Sequence, residues 1–106
     1  MSGAGEAPNA ARGEAALEIG GERLVVRPSF AALVAAEEEL GPLFALVDRA
    51  ADGKLTLGEM AGLFWHCLVD RRALTREALG EAMLAIGLAK LAPLLRAVLQ
   101  QILAGR

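Results

Sequence analysis

The last part of this 106-residue chain carries a stripe that leaves little choice of fold. Leu91, Leu94, Leu95, Val98, Leu99, Ile102 and Leu103 recur at three- and four-residue steps. That spacing puts apolar side chains on one face of an α-helix. Met60, Leu63, Phe64, Cys67 and Leu68 repeat the pattern earlier in the chain. Two such stripes need apolar partners to bury them, so a packed helical domain is expected. The chain is 55% hydrophobic, and much of that is Ala and Leu, which are strong helix formers.

Caps and breakers divide the chain into five helices. Ser29, after Pro28, is an N-cap for a helix over about 30–40. Phe30, Leu33, Val34 and Leu40 form its expected inward side. Gly41 closes that helix and Pro42 opens the next, about 42–51. Thr56 starts a third over about 57–69, and Thr75 a fourth over 76–86 with Leu79, Met83 and Ile86 inward. Gly87 separates it from a fifth over about 88–104, where Pro93 is tolerable only inside the first turn.

One stretch has a different period. "GEAALEIGGERLVVRPS" alternates around Gly20-Gly21, a strong two-residue turn signal. The turn sets Leu17 opposite Leu24 and Ala15 opposite Val26 on an apolar face. On the other face it sets Glu18 opposite Arg23 and Glu14 opposite Arg27, so opposite charges pair. A hairpin over 14–27 follows, and a lone hairpin is marginal in water unless helices cover it. The expected fold is therefore mainly α with a small N-terminal β-hairpin (α+β), five short helices packed on it. Residues 13–106 form a single domain, and the Ala/Gly/Pro-rich residues 1–12 form a tail.

Charge and cysteine content exclude several functions. Eleven Lys and Arg are scattered among thirteen Asp and Glu, for a net charge of −2, which offers no phosphate-tracking surface and argues against nucleic acid. A single cysteine, Cys67, precludes an internal disulfide and suits a reducing compartment. The N-terminus lacks the apolar segment of a signal peptide. Lys90 and Arg96 interrupt the apolar C-terminal half, so no uncharged run reaches about 18 residues. A soluble, cytoplasmic protein is expected, with no membrane partner and no cofactor.

"DRAADGKLTLGE", Asp48 to Glu59, has the length and much of the ligand pattern of a calcium-binding EF-hand loop. Asp48, Asp52 and Glu59 fall at positions one, five and twelve, and Gly53 at the sharp turn. Ala50, at the third position, has no side-chain oxygen, and no second loop pairs with this one; both losses push affinity to about millimolar or weaker. The same residues read more completely as a helix–turn–helix. Asp52-Gly53 closes one helix, and Thr56-x-x-Glu59 is a capping box for the next, with Leu55 packing outside it. The calcium loop stays as the alternative.

Other chemistry is sparse. His66-Cys67 beside Trp65 supplies one His and one Cys where a metal site needs three or four ligands. Cys67 lies on the core stripe, as a structural thiol would. The serines, Ser2 and Ser29, are far in sequence from His66, and no triad assembles. No enzyme is expected. Glu37-Glu38-Glu39 reads as a solvated helix face. Trp65 and Val69 point away from the Met60/Phe64/Cys67 stripe and are the candidate partner-contact residues.

The order of these pieces resembles one family. "GEAALEIGGERLVVRPSFAALVAAEEELG", "GKLTLGEMAGLFWHCL" and "ALTREALGEAMLAIGL" are similar to the small phage-tail-like proteins of alphaproteobacterial gene transfer agents, over about residues 13–104. The resemblance implies a role in tail building, as a tail tube protein or a tail assembly chaperone. The latter coats an apolar, helical tape measure protein, here with possible homo-oligomerisation. It supplies no site motif to carry over. A tube subunit needs an extensive sheet to close a ring, so one hairpin fits the chaperone better. The chain departs from the family in "FWHCLVDRR", where smaller residues are expected.

Overall fold

The computed structural model describes residues 15–104. Residues 1–12, expected as a tail, and Glu14, expected opposite Arg27, lie outside them. Strands β1 (Ala15–Ile19) and β2 (Glu22–Val26) form an antiparallel ribbon. Gly20 and Gly21 turn it with φ of 59° and 78°; two successive positive values are the mark of a type I′ turn. The register is the expected one: Leu17 faces Leu24, Ala15 faces Val26, and Glu18 faces Arg23 at 3.5 Å. Leu17, Leu24 and Val26 are buried.

Five helices follow: α1 (Phe30–Leu40), α2 (Leu43–Ala51), α3 (Leu57–Cys67), α4 (Arg76–Ile86) and α5 (Leu88–Ala104). The fold is thus the hairpin plus five helices that the sequence pattern implies. Ser29, Thr56 and Thr75 each cap a helix, their side-chain oxygens accepting from the N–H three residues on. Proline cannot cap this way, and α2 starts after Pro42 with help from elsewhere: Glu37 Oε2 accepts from the Leu43 N–H at 3.1 Å.

Four details differ from expectation. First, α3 ends at Cys67 and not at 69. Leu68 and Val69 leave the helix extended and lie along the free edge of β2, where Arg27 N–H donates to the Cys67 carbonyl (2.7 Å) and Val69 N–H to that of Val25 (2.9 Å). Second, Val25, on the hairpin face expected to be polar, is buried. Third, Phe30 and Val34 point outward from α1. Its packed side is Ala32, Leu33, Ala36 and Leu40. Fourth, Pro93 stands in the second turn of α5, beyond the first turn. Its missing N–H withholds the usual helical bond from the Ala89 carbonyl, at a residue that is exposed.

The core runs between hairpin and helices. Phe64, Leu63, Leu17, Leu46, Leu79, Met83, Leu91 and Val98 are fully buried. α1 approaches α3 closely at Gly62, where an added Cβ would come within 3.1 Å of the Leu40 side chain. α4 and α5 meet at 116° across Gly87. No single described helix is long and apolar enough to cross a membrane.

Candidate interaction surface

The Asp48–Glu59 segment is a pair of helix caps. Asp48 lies inside α2. After the C-cap Asp52, Gly53 takes φ 71°, its N–H donates to the Ala50 carbonyl, and the Lys54 N–H donates to that of Arg49. These bonds make a Schellman closure. On the other side, Thr56 Oγ1 accepts from the Glu59 N–H (3.1 Å), and Glu59 Oε1 accepts from the Thr56 N–H (3.0 Å). Leu55 and Met60, either side of this box, both pack on the core. Glu59 Oε2 is taken by Arg49. The Thr56 backbone bond and then Arg49 hold the Glu59 carboxyl below its ordinary pKa. Both carboxylate oxygens that a calcium ion would need are therefore engaged. Among the described residues, no group of three or more His, Cys, Asp and Glu could hold a metal.

Trp65 and Val69 sit where α3 gives way to its extended exit. Val69 is 42% exposed and borders two shallow hollows of about 210 and 240 Å³. Trp65 is half-buried and packs on the core. Two guanidinium groups cover its ring: Arg71 at 4.5 Å from the centroid and Arg76 at 5.8 Å. Arg71 Nε also donates to the Trp65 carbonyl (3.0 Å), which accepts the longer C-cap bond from the Leu68 N–H (3.4 Å) as well. The next loop is held to the hairpin tip. Arg72 sits at φ 55°; its N–H donates to Asp70 Oδ1 (2.9 Å) in an Asx-type turn, and its guanidinium donates to Glu22 (2.6 Å).

Beside this patch, the triplet of glutamates is not simply a solvated face. Glu39 pairs with His66 Nε2 at 2.7 Å and with the Arg76 guanidinium, tying α1, α3 and α4 together. The His66 bond first, and Arg76 after it, hold the Glu39 carboxyl below its ordinary pKa. Glu37 caps α2. Neither role is visible from a run of three acids, because each depends on which turn of α1 faces which neighbour. Cys67 is buried, and burial pushes its thiol up to about 12, so it is no nucleophile near neutrality.

A second apolar surface was not anticipated. α2 and α5 stand apart along a channel of about 390 Å³, lined by Val47, Ala51, Leu95, Leu99 and Leu103 with Arg96 as its one charged residue.

The described residues thus compose a small helical module on a hairpin, with several large apolar side chains left exposed. Over residues 12–105 the chain matches the family described as phage tail tube protein, GTA-gp10. It belongs to that family, a phage-tail-related family of gene transfer agents. No curated protein and no solved structure matches it.

Proposed function

We propose that this protein is a non-enzymatic tail assembly chaperone, which holds apolar helical segments of a tape measure protein before tube subunits take its place. The observation that carries this is the amount of large apolar side chain on the outside of the helices. Phe44 is 79% exposed, Leu84 57%, Leu88 46% and Val69, just past α3, 42%. A chain this small cannot hide all such surface, and a long helix with its own apolar face would cover it. The sheet supports the same choice over a tube subunit: the described residues contain one two-stranded ribbon, extended only by the Val26–Leu68 bridge.

Trp65 and Val69 are the contact residues of this proposal, on a single domain over 13–106 that works in the bacterial cytoplasm. Val69 supplies exposed apolar surface. Trp65 supplies a ring whose guanidinium covers can swing aside or pair with acids on the incoming helix. The partners are the tape measure and other tail proteins, without nucleic acid, membrane, metal or cofactor. Co-expression with the tape measure protein tests it. Wild-type protein should co-purify with the tape measure and keep it soluble, and Val69→Asp should reduce recovery without lowering the melting temperature. A tape measure that stays insoluble, with the wild-type protein free in the supernatant, would overturn the proposal.

A further inference from the structure

The α2–α5 channel has a counterpart on the same molecule. We propose that copies of this chain join head to tail, the outer face of α1 on one copy seated in the α2–α5 channel of the next. The first observation is the outer stripe of α1. Phe30, Val34 and Glu38 are exposed and stand at i, i+4 and i+8. Steps of four residues drift by about 40° each, so all three share one face. Two apolar side chains are followed by one acid.

The second observation is which acid remains. Glu37 caps α2, and Glu39 is held by His66 and Arg76. Glu38 alone of the three makes no hydrogen bond or ion pair among the described residues. The channel mirrors this arrangement. Arg96 is its single charge, exposed and likewise without a described partner, and Leu99 and Leu103 follow it along α5.

The spacings agree when the two helices run antiparallel. With Glu38 on Arg96, Val34 falls at Leu99 and Phe30 at Leu103. At 1.5 Å per residue, Phe30 to Glu38 spans about 12 Å and Arg96 to Leu103 about 10.5 Å, a difference that side chains absorb. Two channels packed on one another would instead set Arg96 against Arg96. The seat and the inserted stripe are different surfaces, so the contact is heterologous. It repeats from copy to copy, closing into a ring or continuing as a helical array according to the rotation per step. None of this depends on which partner the assembly holds.

Sedimentation of the purified full chain, from micromolar to hundreds of micromolar, tests it. Wild-type protein should pass beyond dimers as concentration rises. Glu38→Arg and Arg96→Glu should each weaken association by about tenfold, and the two reversals together should restore it, as a directly coupled pair requires. Phe30→Ala, at a side chain that is 84% exposed, should dissociate the assembly with the melting temperature unchanged. A monomeric wild type, a double reversal no better than either single change, or association unaffected by Phe30→Ala would each overturn the proposal. So would variants that self-associate normally but no longer co-purify with the tape measure, since the channel would then belong to that partner.

Discussion

The Trp65–Val69 patch and the α2–α5 channel are both apolar, and they differ in what frames them. Around the patch stand Arg71, Arg76, Glu39, His66, Asp70 and the Arg72–Glu22 pair. The channel has Arg96 alone. Charges near the patch link α1, α3, α4 and the hairpin tip, so salt and pH act on this surface. The channel lies between two helices with little polar connection. Its occupancy should respond to apolar area and to one charge. A small domain with surplus apolar surface can in this way keep two contacts separate: one for a partner, one for its own copies.

Removing what both surfaces rest on should have the largest effect. Phe64 is fully buried on α3, so Phe64→Ala should cost about 3–5 kcal/mol in urea unfolding and abolish both contacts together. A variant that loses one contact and keeps the other would show that α3 is not their common support.

The surfaces should come apart under a milder change. Trp65→Ala should weaken tape measure binding by about 30-fold, or about 2 kcal/mol, while the sedimentation profile of the free protein stays as in wild type. Calorimetric titration alongside thermal melts distinguishes this from instability. Binding that falls only in step with stability would place Trp65 in the core and not at the contact.

Thr56→Ala removes the acceptor for the Glu59 N–H and should destabilise by about 1 kcal/mol, with neither contact altered in specificity. Adding calcium at micromolar levels should not raise the melting temperature of the wild-type protein. A rise would mean that the Asp48, Asp52 and Glu59 oxygens rearrange around the ion.

The smallest effect belongs to Glu39. Its folded-state pKa is lowered by His66 and then Arg76 from an ordinary value of 4.5. A depressed carboxyl contributes stability that is present above the unfolded-state value and is lost as pH falls through the folded-state value. Melting temperature should therefore drop on acidification below about 4.5, and Glu39→Gln should flatten part of that slope. Glu59, lowered by its own partners, accounts for some of the remainder. An unchanged slope in Glu39→Gln would leave the α1–α3–α4 tie without energetic weight.

Local chemistry was legible in the sequence, and the choice between competing helix faces was not. Gly20-Gly21 with flanking alternation determines the hairpin register, because a slip by one residue would turn Leu17 and Leu24 to water. Thr-x-x-Glu gives the capping box, since both of its bonds are made within four residues. In α1, two stripes fit the helical period. Leu33 and Leu40 pack as hydrophobicity suggests, yet the small Ala32 and Ala36 complete the packed side in place of Phe30 and Val34, and Leu40 on that side comes close to Gly62 of α3. Periodicity does not choose between two such stripes; the neighbouring helix does. The end of α3 was hidden for a similar reason. Leu68 continues the apolar stripe, but pairing with β2, forty-two positions away at Val26, draws it out of the helix. As for the candidate surfaces, an off-stripe Trp marked the first. The second needed α2 and α5 to be set side by side, and that is a tertiary fact.

The central claim is that several copies of this chain, joined to one another, coat one apolar helical partner. The mass of the intact complex from co-expression with the tape measure protein tests it most directly. Several copies per tape measure chain are predicted for the wild type, falling to fewer, unevenly distributed copies for Glu38→Arg. One copy per chain, or the same number in both proteins, would contradict it.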